Sequence, residues 1–316
     1  MKIPTTLKQH PFRYALLSAA ALLAVILLVV LRIGTAGVVL NEQNVHLPHL
    51  AAADDGLRVA VLSDPHFGPG DAGRAAMLAE KLNRTNPDLI ILLGDFVNGT
   101  PDIRKSLSMK EFSRFVGSLK ARCGVFAVTG NHELWYGRDA VADALREGGA
   151  VMLPGECVTV ATPSGRPLQL VGLPDFTTEE PLSRFPAVDD KLPTLVVMHD
   201  PKSANFIPEK LECFGIAGHT HGGQIRLYPG GGDRSSLRLA IVRFKAKTTG
   251  LPEYQRPYVL FDRGFTDYHG RKLFITSGTG LSKLRMRLFC PPEVVLLKLR
   301  SAPESAENTF TIPEEL

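Results

Sequence analysis

Two histidines separated by a single threonine stand in the motif GHTHGG at residues 218–223. The apolar residues 213–217 before the motif predict a short buried strand. On an extended backbone, side chains two residues apart point to the same face, so His219 and His221 can act together. Because neutral imidazole is the commonest side-chain metal ligand, this spacing favours a metal site. A polar loop with two solvated histidines is the simpler alternative.

Four further clusters of aspartate, asparagine or histidine each follow a strand-like apolar run. In open α/β sheets, ligands bind at the carboxyl ends of the strands, so five such clusters in register favour one shared site. Single members also have structural interpretations, with His66 as a core histidine and Asp95 or Asn131 as turn residues. The four clusters are Asp64-Pro65-His66 after residues 57–63, Gly94-Asp95 after 89–93, Gly130-Asn131-His132-Glu133 after 125–128, and His199 after 195–198.

The apolar pattern between the clusters predicts the elements that must hold them. Unbroken apolar runs such as residues 89–93 are typical of a sheet that is covered on both faces. The fold class is therefore α/β. Helical spacing, a hairpin turn and later apolar runs predict helices over 74–82, 109–119 and 139–146, a hairpin over 158–173, and closing strands over 273–276 and 294–299.

Composition limits the classes of protein to which the chain can belong. Its 316 residues are 44% hydrophobic and 22% charged, which is close to the globular average and excludes a disordered chain. The net charge of +4 is too small to indicate nucleic acid as a global partner. The four cysteines form no CxxC pair, so they predict neither a zinc–cysteine site nor a disulfide framework. Nothing in the sequence fixes the oligomeric state.

Residues 15–31 form an apolar run that predicts a single membrane-spanning helix. A cleavable signal peptide is the alternative, but the run is long for a signal peptide and no clear cleavage site follows it. Basic residues before the run place the N-terminus in the cytoplasm and the rest on the periplasmic side of a bacterial inner membrane. The predicted organisation is a stub and anchor over 1–40, a linker over 41–55, a globular domain over 56–300, and a polar tail over 301–316.

Together the motifs resemble the calcineurin-like metallophosphoesterase superfamily, whose pattern is D-x-H, G-D, G-N-H-[ED], H and G-H-x-H. Order and spacing agree over residues 57–300. The extended motif GHTHGGQ and the late Cys290-Pro291-Pro292-Glu293 are most similar to membrane-anchored bacterial members of the phosphodiesterase type. One departure is Asn98, where many members carry aspartate, but this position is not a metal ligand in the family.

The resemblance implies a four-layer α/β/β/α sandwich that holds two divalent metal ions. A mixed set of oxygen and nitrogen ligands without thiolate suits Mn, Fe or Zn. His132 is the expected general acid for the leaving group, held by Asp64, and Glu133 is expected to be structural. By motif, the ligands would be Asp64, His66 and His221 for one ion, Asn131, His199 and His219 for the other, and Asp95 as the bridge between them.

The implied activity is hydrolysis of a phosphodiester or pyrophosphate bond. Two cations polarise the phosphoryl oxygens and lower the pKa of a shared water, and the resulting hydroxide attacks phosphorus in line with the leaving oxygen. A membrane anchor favours a lipid or envelope substrate. One alternative is the UDP-2,3-diacylglucosamine pyrophosphatase reaction of lipid A synthesis, which some similar anchored members perform. That reaction takes place on the cytoplasmic side of the membrane, so it conflicts with the predicted periplasmic orientation of the domain. Another alternative is a non-catalytic metal-binding scaffold.

Basic residues after the histidine motif are candidates for binding an anionic substrate. The stretch 226–256 holds seven basic residues against two acidic ones, and residues 283–287 add a second basic cluster. We expect Arg226, Arg285 and Arg287 to bind phosphate or lipid headgroups beside the site. A solvated basic surface is the alternative. No run of aromatic and basic residues supports nucleic acid as the substrate.

Overall fold

A computed structural model describes residues 11–35, 37–99, 103–153, 155–176, 184–228, 235–241, 262–268, 270–281 and 286–301. Strands and helices alternate along most of this part of the chain, as expected for an α/β protein. The principal elements in chain order are α1 Pro11–Thr35, β1 Val39–His46, β2 Leu57–Leu62, α2 Ala72–Arg84, β3 Leu89–Leu92, α3 Met109–Gly117, β4 Val125–Ala127, α4 Asn131–Tyr136, α5 Arg138–Glu147, β5 Val151–Met152, β6 Cys157–Ala161, β7 Pro167–Gly172, β8 Thr194–Val197, β9 Phe214–Ala217, β10 Gly264–Tyr268, β11 Arg271–Ile275 and β12 Glu293–Arg300.

The strands form two six-stranded sheets. The first has the order β1-β12-β2-β3-β4-β5 and is parallel except where β12 pairs with β2. The second has the order β10-β11-β9-β8-β7-β6 and is parallel at its centre, with an antiparallel strand at each edge. Because β2, β3 and β4 are parallel, as are β8 and β9, the predicted motifs lie along one edge of each sheet.

Successive side chains of each strand of the first sheet point to opposite faces, so its apolar residues are divided between two cores. Val59 and Val61 of β2 lie in the same buried cluster as Leu195 of β8, so this cluster joins the two sheets. Ala60 and Leu62 belong to the other cluster, which the helices α2, α3 and α5 complete. Both faces of the first sheet are therefore covered, as its unbroken apolar strands predict.

The outer face of the second sheet is covered in another way. Among the described residues, the cluster on that face includes Ala204 and Phe206 from the 3-10 helix Pro201–Phe206, together with loop residues. The described part of the chain thus contains one α-helical layer and two sheets of the predicted sandwich. A 3-10 helix and loops stand there in place of the second α-helical layer.

The predicted linker over residues 41–55 is wrong in its first half. Val39–His46 form β1, which pairs in parallel with β12 from Val39 opposite Glu293 to His46 opposite Arg300. A short 3-10 helix follows over Ala52–Asp54. β1 is an edge strand whose side chains are mostly exposed or half-buried, so its sequence lacks the apolar character of the other strands. The sheet begins at residue 39, ahead of the predicted boundary at 56.

The predicted membrane anchor falls on α1, a helix of 25 residues. Among the residues that the structure describes, no helix has both the length and the apolar character needed to span a membrane. Most of the predicted polar tail, residues 302–316, and the first ten residues of the predicted stub lie outside the described residues.

Candidate metal centre

The five predicted motifs meet where the carboxyl ends of β2, β3, β4, β8 and β9 approach one another. Two motif glycines make this approach feasible. A Cβ atom on Gly130 would lie 2.4 Å from Asp95 Oδ1, and a Cβ atom on Gly218 would lie 1.9 Å from Ser63 Oγ. A side chain at either position would push two motifs apart, so glycine is required there for packing.

One group of ligands consists of Asp64, His66 and His221, which we call pocket A. All three side chains are buried, and one ligand atom from each lies within 4.8 Å of the others. His221 Nε2 is 3.1 Å from His66 Nε2 and 3.5 Å from Asp64 Oδ1. The structure therefore brings together the three side chains that the sequence assigned to one ion.

The second group consists of Asp95, His199 and His219, whose ligand atoms lie within 4.8 Å of one another, and we call it pocket B. Asn131, the remaining predicted ligand, follows Gly130, on which a Cβ atom would lie 2.8 Å from the His199 ring. His199 Nε2 is 3.1 Å from His219 Nδ1 and 3.3 Å from Asp95 Oδ2. Asn131 is the first residue of α4 and is buried. These are the side chains that the sequence assigned to the other ion, together with the expected bridge.

Asp95 contacts both pockets through one oxygen. Its Oδ2 lies 3.6 Å from His66 Nε2 in pocket A and 3.3 Å from His199 Nε2 in pocket B. Its Oδ1 accepts a hydrogen bond from the main-chain N–H of His132 at 2.9 Å. An ionised carboxylate only accepts and has several lone pairs, so it can serve two cations at once. Asp95 therefore belongs to candidate ligand groups on both sides of the centre, with His66 and with His199.

Main-chain carbonyls orient two of the imidazole rings. His66 Nδ1 lies 3.2 Å from the carbonyl oxygen of Val97, and His199 Nδ1 lies 2.6 Å from that of Leu93. A ring N–H that donates to a carbonyl leaves the lone pair on the other nitrogen, which is the tautomer that a metal ion needs. In both rings that other nitrogen is Nε2, the atom that faces Asp95.

Burial and mutual charge set the protonation states of the ligand groups. Burial lowers the pKa of His66, and it lowers the pKa of His221 to about 3, so both rings are neutral at pH 7. Burial alone would raise the pKa of Asp95 and that of Asp64, but nearby histidines outweigh it and lower both pKa values. For His199, burial alone would lower the pKa, but the charge and hydrogen bond of Asp95, together with the charges of Asp64 and Asp175, raise it. The carboxylates are thus anionic, as cation binding requires.

Five of the predicted ligands have a left-handed backbone conformation. Non-glycine residues in this region cost about 1–3 kcal/mol each and persist only where their surroundings hold them. Such strain clusters at active sites and ligand clamps, so the backbone supports a functional site independently of the side-chain types. The φ angles are +52° at Asp64, +44° at His66, +53° at Asp95, +66° at His219 and +52° at His221.

Two buried oxygens of the predicted ligands have no hydrogen-bond partner among the described residues. They are Oδ1 of Asp64, in pocket A, and Oδ1 of Asn131. Burying such an atom without a partner is costly, and a bound cation would satisfy each of them. Anionic carboxylates, the neutral imidazoles of His66 and His221, the pocket B imidazoles and two unpartnered oxygens are together a donor set that fits two divalent cations.

Comparisons with known proteins agree with this geometry. Residues 57–223 match the family described as calcineurin-like phosphoesterase, and this range includes all five motifs. This chain belongs to the calcineurin-like phosphoesterase family. It is a metal-dependent phosphoesterase.

Three relatives span most of this phosphoesterase. Phosphodiesterase YaeI of Escherichia coli (strain K12) is 31% identical over 67% of this chain and 70% of its own length. An uncharacterized metallophosphoesterase of Aquifex aeolicus (strain VF5) is 27% identical over 77% of this chain and 85% of its own length. The UDP-2,3-diacylglucosamine pyrophosphatase LpxG of Chlamydia muridarum (strain MoPn / Nigg) is 23% identical over 84% of this chain and 90% of its own length.

His132, the predicted general acid of this phosphoesterase, lies at the edge of the metal centre. Its side chain is 23% exposed, and its Nε2 is 3.8 Å from Asp95 Oδ2. Its ring packs edge-on against that of His66, with the centroids 4.4 Å apart. We expected Asp64 to hold His132, but in the structure its carboxylate neighbour is Asp95. The Oδ1 atom of Asp95 also accepts the main-chain N–H of His132. His132 is close enough to His66 and Asp95 to bind an ion with them, so its role has to be decided by metal content.

Ser63 is a contributor that the motifs of the phosphoesterase family did not reveal. Its Oγ donates to Asp64 Oδ2 at 2.5 Å, and the same oxygen accepts the main-chain N–H of His219 at 3.0 Å. One oxygen of Asp64 is thereby fixed, and Oδ1 is left for an ion. A hydroxyl residue directly before the D-x-H motif was the available signal in the sequence.

The predicted substrate-binding arginines are placed differently from our expectation. Arg226 is buried, and its guanidinium pairs with Asp262 Oδ1 at 2.7 Å. Arg287 is fully buried and donates to main-chain carbonyl oxygens, among them that of Ser277 at 2.7 Å. We therefore correct the prediction for these two residues, because their guanidinium groups are directed at protein acceptors. Arg285 lies outside the described residues.

Glu133 is structural, as expected, and holds the main chain of two motifs together. Its Oε2 accepts from the N–H groups of Asp95 at 2.8 Å and Gly130 at 2.7 Å, and its Oε1 accepts from Phe96 at 2.8 Å. Burial, followed by the charge of Asp95, raises the pKa of Glu133 to about 8. The three N–H donors oppose this rise, because they favour the anion.

We expect Glu133→Gln to lower the free energy of unfolding by about 1–3 kcal/mol. The amide NH2 group would face main-chain N–H groups and leave at least one of them buried without an acceptor. Urea unfolding measures the change. The control is Glu80→Gln on the exposed face of α2, where the Arg84 ion pair is worth at most ~1 kcal/mol. A Glu133→Gln protein as stable as the wild type would show that the carboxylate does not hold the two motifs.

Proposed function

We propose that this phosphoesterase hydrolyses a phosphodiester or a pyrophosphate bond with two divalent cations, one in each pocket. The observation that carries the proposal is the position of Asp95, whose Oδ2 lies within 3.6 Å of an imidazole nitrogen from each pocket. The donor set of oxygen and nitrogen without thiolate suits Mn, Fe or Zn. The proposed ligands are Asp64, His66 and His221 in pocket A, Asn131, His199 and His219 in pocket B, and Asp95 in both.

When bound, a pair of cations polarises phosphoryl oxygens and lowers the pKa of water. The protein's own contribution is a set of ligands whose positions are fixed before the substrate arrives. Ser63 and His219 N–H hold one oxygen of Asp64, and main-chain carbonyls fix the rings of His66 and His199. Groups held in this way need little reorganisation during the reaction.

His132 is the residue that we propose as the proton donor. It stands at the exposed edge of the centre, where a leaving group can approach, while the ligand rings of pocket A are buried behind it. Protonation of the leaving oxygen by a positioned side chain contributes about 100- to 10,000-fold to such reactions. The need for it is greatest when the leaving group is an alkoxide.

A lipid or envelope phosphodiester at a bacterial inner membrane is the substrate that we propose. Two observations support it. The relative YaeI is named a phosphodiesterase, and the relative LpxG is named for a substrate that carries acyl chains. No described helix has the length and apolar character needed to span a membrane, so the proposal of an anchor, with the catalytic domain on the periplasmic side, rests on the apolar sequence of residues 15–31 and the basic residues before it.

UDP-2,3-diacylglucosamine is the second candidate substrate, because LpxG aligns with 84% of this chain and 90% of its own length. That reaction would require the domain to face the cytoplasm. A non-catalytic metal-binding scaffold is a third candidate; it would use the same seven proposed ligands, so turnover is what separates it from the other two.

A substrate panel separates these candidates. Metal-free protein is reloaded with Mn²⁺, Fe²⁺ or Zn²⁺ and assayed on bis(p-nitrophenyl) phosphate, p-nitrophenyl phosphate and UDP-2,3-diacylglucosamine. Turnover of the diester in preference to the monoester is the result expected of a phosphodiesterase. Preferred cleavage of the lipid nucleotide would select the pyrophosphatase. Binding of two ions without turnover of any substrate would select the scaffold.

Metal binding can be followed without any substrate, because Trp135 is the single tryptophan of the chain. Its ring centroid lies 5.0 Å from that of His132. We expect paramagnetic Mn²⁺ to quench its fluorescence in a titration that saturates at two ions per chain. Diamagnetic Zn²⁺ is the control, which should compete with Mn²⁺ and restore the signal. Quenching that never saturates would mean that Mn²⁺ binds only at weak surface sites.

A further inference from the structure

Arg287 is a fully buried guanidinium whose hydrogen bonds go to main-chain oxygens. Its exposed fraction is 0%. Nη2 donates to Ser277 O at 2.7 Å and to Gly280 O at 2.7 Å, and Nη1 reaches His221 O and Cys290 O, each at 3.4 Å. Removing a charged guanidinium from water costs free energy, and several well-placed hydrogen-bond acceptors are needed to offset that cost. Such an arginine is expected where separate stretches of main chain must be held together.

Apart from the nearby Cys290 O, the carbonyl acceptors of Arg287 belong to two loops that carry or contact the ligands of pocket A. One is the loop after β11, which lies against the D-x-H motif. In this loop the N–H of Thr279 donates to Ser63 O at 3.0 Å, and the N–H of Gly280 donates to Asp64 O at 2.7 Å. The other is the histidine loop, where the acceptor is the carbonyl oxygen of His221 itself. Arg287 therefore connects the main chain of two ligands of the same pocket.

The motif that follows Arg287 contacts the same two loops. Cys290 Sγ lies 3.4 Å from Gly222 O and 3.6 Å from His221 O. A Cβ atom on Gly222 would lie 2.7 Å from this sulfur, so the contact leaves no room for a side chain. At the other end of the motif, Glu293 Oε1 accepts from Ser277 N at 2.8 Å. We call residues 287–293 the clasp.

Backbone strain explains why pocket A needs a clasp. Asp64, His66 and His221 all have φ near +50°, with values of +52°, +44° and +52°. Each conformation costs about 1–3 kcal/mol, so these ligands relax unless neighbouring groups hold their main chain. Among the described residues, the hydrogen bonds of the Arg287 guanidinium go to none of the pocket B residues His199, His219 and Asn131. Its loss should therefore affect one pocket more than the other.

We propose that Arg287 is a positioning residue that holds Asp64 and His221 in the geometry of pocket A, so that its loss weakens the ion in that pocket selectively. The inference rests on the proposed binuclear site and extends it to a residue outside the family's motifs. A lysine at 287 keeps the charge but has one compact ammonium, which cannot span the five carbonyl oxygens that the planar guanidinium reaches.

The test is a metal titration of the full chain carrying Arg287→Lys, beside the wild type. Metal-free proteins are titrated with Mn²⁺, and stoichiometry and Kd are measured by calorimetry and by metal analysis after gel filtration. We expect the wild type to bind two ions and Arg287→Lys to bind one with unchanged affinity. The second ion should bind the variant about 10- to 100-fold more weakly, the range found when groups supporting a metal ligand are removed.

Two controls separate positioning from general destabilisation. Leu297→Ala creates a cavity in the core between the sheets, away from the clasp, and should lower stability while both ions stay bound. Cys290→Ala keeps Arg287 and its bonds to carbonyl oxygens, but removes the sulfur contacts to the histidine loop and to the guanidinium groups of Arg287 and Arg263. It should give a smaller loss at the same pocket. It also serves as the test variant if Arg287→Lys does not fold.

Two outcomes would overturn the inference. One is a folded Arg287→Lys protein that binds both ions with wild-type affinity, and the other is equal weakening of both ions. A wild type that binds fewer than two ions would overturn the binuclear proposal and this inference with it. A wild type that binds two ions but cleaves no phosphoester would overturn the proposed activity alone and leave the role of Arg287 intact.

Discussion

Replacing Asp95 with asparagine should remove both ions and lower kcat/KM at least ~1,000-fold, since two ions supply several kcal/mol and each 1.36 kcal/mol is tenfold. The amide oxygen can still accept the main-chain N–H of His132, so the loop is retained. The amide NH2 would instead face His66 Nε2 and His199 Nε2, now 3.6 and 3.3 Å from Oδ2. A donor at that position cannot bind a cation.

Asp88 offers a matched control for this variant. It is a buried aspartate directly before β3, so it stands at the opposite end of the strand that Asp95 follows. Its Oδ2 accepts the main-chain N–H of Arg58 at 2.8 Å. Asp88→Asn should cost stability but leave two ions and near-normal turnover. Metal analysis and steady-state kinetics measure both variants, and an Asp95→Asn protein that keeps both ions tightly would rule out the bridge.

The clustering of the proposed metal ligands could be predicted from the sequence because each motif follows an apolar run that is long enough to be a strand. Asp64 follows β2, Asp95 follows β3 and His199 follows β8, and parallel pairing then carries the strand ends to one edge. The helices and the hairpin also lie close to their predicted ranges. Local pattern and topology thus agree at these elements, which is why reasoning from the sequence reached them.

Strand β1 could not be predicted in the same way. Residues 39–46 read V-L-N-E-Q-N-V-H, which is too polar to look like a strand. What makes them one is pairing with β12, whose partner residues start at 293. An edge strand is hydrogen-bonded on one side and exposed on the other, so its side chains need not be apolar. What specifies β1 as a strand is its pairing with β12, which lies near the other end of the sequence.

The buried arginines show a second limit of local pattern. In the sequence, Arg226 and Arg287 belong to basic stretches, and basic stretches are usually solvated or bind anions. In the structure, Asp262 pairs with Arg226, and main-chain carbonyl oxygens of distant loops surround Arg287. Carbonyl acceptors carry no signature in a sequence. The role of such an arginine can be inferred only after the fold has placed its acceptors.

His132→Ala should keep both ions and lose about 100- to 10,000-fold in kcat on a phosphodiester with an alkyl leaving group. Proton donation matters most for such a leaving group, because an alkoxide is a strong base. For bis(p-nitrophenyl) phosphate the loss should be much smaller, since nitrophenolate departs without a proton. The ratio of the two losses therefore measures proton donation and cancels any general damage to the site.

Metal content decides whether that interpretation of His132 holds. Its Nε2 lies 3.8 Å from Asp95 Oδ2, and the two residues form a possible ligand group with His66. If His132 were a ligand, the alanine variant would lose an ion and would be impaired equally on both substrates. His49→Ala is the control for the loss of an imidazole, because His49 pairs with Glu212 at 3.0 Å rather than with any ligand. Two retained ions and a loss confined to the alkyl ester would together leave proton donation as the role of His132, because a lost ligand would impair both esters.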